Sequence, residues 1–90
     1  MRSARATTSD EIAIWARVIA PEKNGLPPEA ARSVLGLTFG EQDKARLADL
    51  AAKCNEGKLS ARERAEYEAY VKVGDVLSLL HLKAKRSLRS

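Results

Sequence analysis

The thirty residues from Leu59 to Leu88 carry a helix start signal, no proline and a basic end, and they constrain most of what this chain can fold into. Ser60 followed three residues later by Glu63 is a capping box, in which each side chain satisfies a free backbone N–H of the other residue. Tyr67, Tyr70, Val73, Leu77, Leu80 and Ala84 then recur at intervals of three and four, the period of one helical face. Glu68 and Lys72 stand four apart in the favourable order for a pair along the helix. About 27 helical residues would span roughly 40 Å, which makes this helix the long axis of a small domain.

Two features complicate a simple amphipathic helix. Gly74 costs about 1 kcal/mol relative to Ala in a helix interior, so it is expected to mark a bend or a close helix crossing. The run Val76-Leu77-Ser78-Leu79-Leu80-His81-Leu82 is apolar on more than one face. So wide an apolar surface must be covered on several sides, either by the chain's own shorter helices or by a second protein chain.

The upstream sequence reads as three shorter helices. Residues 1–7 are small and polar and are expected to be disordered, leaving 8–90 as a single helical domain. Thr8 and Glu11 form a second capping box, opening a helix over about 9–20 that stops before Pro21. Ile12, Trp15 and Ile19 make its stripe, with Ile14 and Val18 beside it, and Trp15 is expected to anchor the core. After the turn Pro21–Gly25, Pro28 suits the first position of a helix over about 28–37. Phe39 is read as a core plug between Gly36 and Gly40. A third helix over about 41–56 opens on Glu41 and Asp43 and ends at Gly57, which fits the residue after a helix stop. Leu47, Leu50, Ala51 and Cys54 form its inner face, and Asp49 with Lys53 an outer pair. The short link to a fourth helix over about 61–88 makes the last two an antiparallel hairpin. No stretch alternates as a strand would, so the fold class is all-α: three short helices packed on one long C-terminal helix.

Charge is unevenly placed. The 90 residues sum to +4, yet Lys83, Lys85, Arg86 and Arg89 account for all of it, leaving a neutral body and a basic end. Such cations complement the macrodipole at a helix C-terminus; contact with phosphates or an acidic partner is the other reading. A hydrophobic fraction of 44% that is rich in Ala, with one Phe, one Trp and two Tyr, makes a thin core. Small chains of this kind often gain stability by oligomerising or binding a partner.

Catalytic and cofactor signatures are not found. One Cys and one His build no zinc site or intrachain disulfide, and no phosphate loop, HExxH, CxxC or EF-hand spacing occurs. His81 sits inside the apolar run without a neighbouring nucleophile, as a hydrogen-bonded or interface histidine does. Cys54 is read as a small buried apolar residue. A DNA-reading second helix would present Glu41, Gln42 and Asp43 to phosphates, the wrong charge for that role. No signal-peptide core or membrane-length apolar segment appears, so the chain is expected in the cytoplasm. It is read as a non-enzyme without cofactor, metal or evident small-molecule substrate.

The segment L-S-x-x-E-R-x-E-Y-x-x-Y-V from Leu59 to Val71, closing in Leu79-Leu80-x-x-Lys83-Ala84-Lys85, resembles a family of small uncharacterised all-helical bacterial proteins. Ala20-Pro21-Glu22, Leu26-Pro27-Pro28 and Leu37-x-Phe39 extend the likeness over about residues 12–88, with Lys85 where the pattern has Arg. The resemblance implies a regulatory or antitoxin- or immunity-like partner of another protein and transfers no functional residue. The expected contact surface is Val76, Leu77, Leu79, Leu80 and Leu82, with Tyr67 and Tyr70 as anchors, for a second copy or another chain. The alternative is a nucleic-acid-binding accessory protein that uses Lys83, Lys85, Arg86 and Arg89.

Overall fold

The helix that begins at Ser60 forms as its sequence dictates. In the computed structural model, which describes residues 4–23 and 25–89, with side chains from Asp10 onward, the Ser60 hydroxyl accepts from Glu63 N–H at 3.1 Å, and the Glu63 carboxylate accepts from Ser60 N–H at 3.1 Å. The helix, α4, runs without a break from Ala61 to Arg89. Its 29 residues rise roughly 43 Å, which sets the molecule's longest dimension of 45 Å.

Three helices precede it: α1 (Ala4–Ile19), α2 (Pro28–Leu35) and α3 (Glu41–Asn55). The fold is all-α, as expected, with no strand among the described residues. The α3 stop is a Schellman motif. Gly57 takes φ 69°, its N–H donates to the Cys54 carbonyl at 3.0 Å, and Lys58 N–H donates to the Lys53 carbonyl at 2.8 Å. Only glycine holds that φ without strain, so the hairpin turn is built into the sequence at one position. Asp43 meets Tyr70, Arg46 meets Glu66 and Lys53 meets Glu63, so α3 runs antiparallel to α4. The segment before α2 is held at the far end, where Leu26 N–H donates to Ser87 Oγ at 2.7 Å, and its exit is held where His81 Nε2 lies 2.8 Å from the Leu37 carbonyl. A carbonyl can only accept, so that nitrogen of His81 carries the proton. Thus α2 and α3 follow one another down α4, both antiparallel to it. By contrast α1 runs in the same direction as α4, with Glu11 against Lys72 and the Ile19 carbonyl against Lys83.

Each of α1, α2 and α3 packs against α4, and among the described residues none packs against another. The consequence is a thin molecule, 45 × 35 × 15 Å, whose radius of gyration is 15.5 Å. A compact chain of this length has about 12 Å. Among the described residues the buried apolar ones are Ile19, Ala31, Leu50 and Ala84, two of them alanines, and Leu50 is the one large side chain buried completely.

This arrangement corrects several expectations. Trp15 does not anchor the core: 39% of its surface is exposed, because α1 has a single neighbour and Trp15 lies at the edge of the stripe that α4 covers. The helix start at Thr8 is replaced by one at Ala4, since Ala4, Arg5 and Ala6 continue the helix upstream and override the local capping pattern. Of the segment expected to be disordered, residues 4–7 are helical and 1–3 lie outside the described residues. Lys72 pairs with Glu11 of α1 at 3.0 Å instead of with Glu68. Cys54 is exposed, being in the last turn of α3 where no further element covers it.

Candidate functional site

The face of α4 that the sequence marks out changes character along its length. Ala84 is fully buried near Ile19 and Ala31, whereas Val73, eleven residues upstream on the same stripe, is 48% exposed and Ala69 is exposed. Of the expected contact residues, Val76, Leu77, Leu79 and Leu80 are half-buried and Leu82 is exposed. Most of the apolar run lies along the stretch of α4 where α1 and α2 dock.

At the upstream end of this stripe Phe39, Asp43, Glu66, Ala69, Tyr70 and Val73 line an open groove of about 500 Å³. Phe39, read from sequence as a core plug, is half-buried and forms one wall. Its ring meets the Tyr70 ring edge-on, centroids 5.7 Å apart at 65°, and lies over Gly74. The Tyr70 hydroxyl donates to Asp43 Oδ1 at 2.7 Å, and that bond raises the phenol's pKa. Tyr70 is thus fixed from both sides, while Tyr67 is half-buried.

The groove's acidic wall is held by a charged knot between α3 and α4. Arg46 donates through Nε and a terminal nitrogen to the two oxygens of Glu66, both at 2.8 Å, and through the other terminal nitrogen to Asp49 at 2.9 Å. Lys53 donates to Glu63 at 2.7 Å and stands 3.9 Å from Asp49, so the outer pair read from sequence exists but is secondary. The hydrogen bond from Lys53, with that from Ser60 N–H, holds the Glu63 carboxyl at about 2, and Arg46 lowers that of Glu66. In turn Glu66 raises Arg46, and Glu63 raises Lys53. Arg46 and Glu66 stand 20 residues apart, and no local pattern signals their pairing.

A second exposed apolar area lies on α1. Ile14, Trp15 and Val18 are 50%, 39% and 71% exposed and adjoin one another at helical spacing. The sequence marks the three as apolar, but it does not show that α2 and α3 stay away from them.

The basic end divides. Lys83 is occupied within the chain, its ammonium donating to the Ile19 carbonyl at 2.6 Å, where a cation satisfies the C-terminus of α1. Lys85 is exposed. Arg86 and Arg89 line a cavity of about 540 Å³ with Pro21, Glu22, Lys23, Gly25, Leu82 and Ser87.

Among the described residues no group of three or more His, Cys, Asp or Glu is placed to hold a metal, and no helix is long and apolar enough to cross a membrane. No family model, curated protein or solved structure matches the chain.

Proposed function

We propose that this chain is a non-enzymatic protein–protein interaction module, a regulatory or antitoxin- or immunity-like partner of another protein. The supporting observation is apolar surface left open by the fold. Ile14, Trp15 and Val18 on α1 and Val73 in the Phe39–Tyr70 groove are large side chains that no other helix covers. Exposed apolar groups gathered this way, with aromatic anchors and a polar rim, are the mark of a contact surface. In the groove the rim is Asp43 and Glu66, the latter held by Arg46, and the anchors are Phe39 and Tyr70; in the separate α1 area the anchor is Trp15. Val76, Leu77, Leu79 and Leu80 are half-buried and Leu82 is exposed.

A tagged chain recovered from its source cells, with half the lysate treated with nuclease, tests the reading. A stoichiometric protein retained after nuclease is expected, and its loss on changing Ile14 and Val18 to Ser would assign it to the α1 edge. Recovery of nucleic acid alone would reject the proposal.

One observation favours a second reading, a nucleic-acid accessory role. Lys23 joins Arg86 and Arg89 around one cavity, so three cations from two segments converge there. Binding of this kind falls steeply with salt and is lost on deleting residues 83–90. Against it, Lys83 is held by Ile19 and Glu22 shares the cavity.

A further inference from the structure

The side of α4 turned away from the three packed helices has its own pattern. Arg64, Glu68, Val71, Asp75, Ser78, Leu82, Lys85 and Arg89 are all exposed. They follow one another at alternating intervals of four and three, which keeps them within an arc of about 100°. That is the spacing of the a/d seam of a coiled coil, with Val71 and Leu82 as its apolar positions. Val71 and Leu82 are 44% and 42% exposed although both are large and apolar. Glu68, Asp75 and Lys85 have no partner among the described residues, and at the downstream end Leu82 and Arg89 border the cavity lined by Pro21, Glu22, Lys23 and Gly25.

We infer that the seam pairs α4 with α4 of a second copy of this chain, antiparallel and about a two-fold axis between Val76 and Leu77. The charge order selects this occupant and this direction. Acids lie on the upstream half, at Glu68 and Asp75, and bases on the downstream half, at Lys85 and Arg89. Antiparallel pairing sets Glu68 against Lys85 of the second copy, Val71 against Leu82 and Asp75 against Ser78. The symmetry repeats each contact, so two apolar and two ionic layers form, each with an a position facing a d position as antiparallel coiled coils require. A parallel pair would put Lys85 on Lys85 and Glu68 on Glu68, repelling at both. The like-charged contact of the antiparallel register, Arg64 with Arg89, is repeated too, but its two layers lie at the solvated ends, where such repulsion is weak.

Area is consistent with a missing copy. The chain exposes 6594 Å², against about 5,200 Å² for a compact monomer of its mass. The excess is larger than the roughly 800 Å² that one partner contributes to an ordinary interface. This seam is separate from the α1 edge and the Phe39–Tyr70 groove, so one molecule can pair with its copy and still offer its other surface.

Light scattering on the isolated chain, from about 10 μM to about 1 mM, tests the inference. The expected mass rises with concentration toward twice the 9.8 kDa of one chain. Glu68→Lys and Lys85→Glu are each expected to weaken association about tenfold, because each converts two ionic layers to repulsion. The double variant restores it to within about threefold, and Leu82→Asp abolishes it with circular dichroism unchanged. A monomer throughout the range would overturn the inference. So would association indifferent to the charge reversals; if Ile14→Asp and Val18→Asp abolished it instead, the copy would occupy the α1 edge, and the interaction reading would stand without this one.

Discussion

Gly74→Ala should stabilise this protein, although a glycine in the middle of a long helix invites the opposite reading. A Cβ at position 74 would have Phe39 Cε2 as its nearest neighbour, at 3.9 Å, an ordinary van der Waals distance. No crossing there demands a missing side chain. Replacing an interior helical glycine by alanine recovers about 0.8–1 kcal/mol of backbone entropy, and the new contact with Phe39 adds about 0.1–0.2 kcal/mol. For a chain of this size about 1 kcal/mol raises Tm by roughly 4–8 °C. Urea and thermal unfolding followed by helical circular dichroism measure it, with wild type and variant at one protein concentration so that self-association does not enter the comparison. A lower Tm would refute the reasoning: Phe39 would then sit closer to α4 than 3.9 Å, and the groove it lines would be differently shaped.

Ala20 holds φ 48° between the end of α1 and Pro21, a conformation costly for any residue with a Cβ. Ala20→Gly is expected to stabilise by about 0.5–1 kcal/mol, read as a higher urea midpoint; a lower midpoint would mean the turn is not strained. Acid should loosen the α3–α4 hairpin. Glu63 is held at about 2 from an ordinary 4.5, so its contribution is complete above about 4.5 and is lost as pH falls through 2; Glu66, lowered by Arg46, acts in the same direction. The urea midpoint should therefore decline from pH 4.5 toward 2, and Glu63→Gln should flatten the decline. A midpoint as steeply pH-dependent in the variant would show that Glu63 is not the group responsible.

Features written in neighbouring residues were legible in the sequence. Ser60 with Glu63 started α4, Gly57 stopped α3, and Pro28 opened α2, because capping and φ restriction act within a turn; α2 ends at Leu35, short of the expected 37. The all-α class and the hairpin of the last two helices followed from these and the apolar period. What escaped depends on which helices touch. Trp15 carries every local mark of a core residue, yet α2 and α3 lie elsewhere along α4 and leave it half open. Lys72 has a suitable acid four residues away in Glu68 but reaches Glu11 on another helix, and Lys83 seats α1 by way of the Ile19 carbonyl. The groove combines Phe39, Asp43 and Tyr70 from three stretches of chain, a juxtaposition with no local signature. The outer seam of α4 is different again: its four-three spacing is present in the sequence, but the stripe through Tyr70, Leu77 and Ala84 is the more apolar and draws attention first.

Openness is the claim on which the rest depends, since a chain whose three helices also packed on one another would have no surface left to offer. Small-angle X-ray scattering on the Leu82→Asp variant, at a concentration where light scattering finds a single chain, measures it directly. A radius of gyration near the 15.5 Å of the open arrangement is expected; a value close to the roughly 12 Å of a compact chain would mean that α1 closes over α2 or α3, and the apolar surface would not exist.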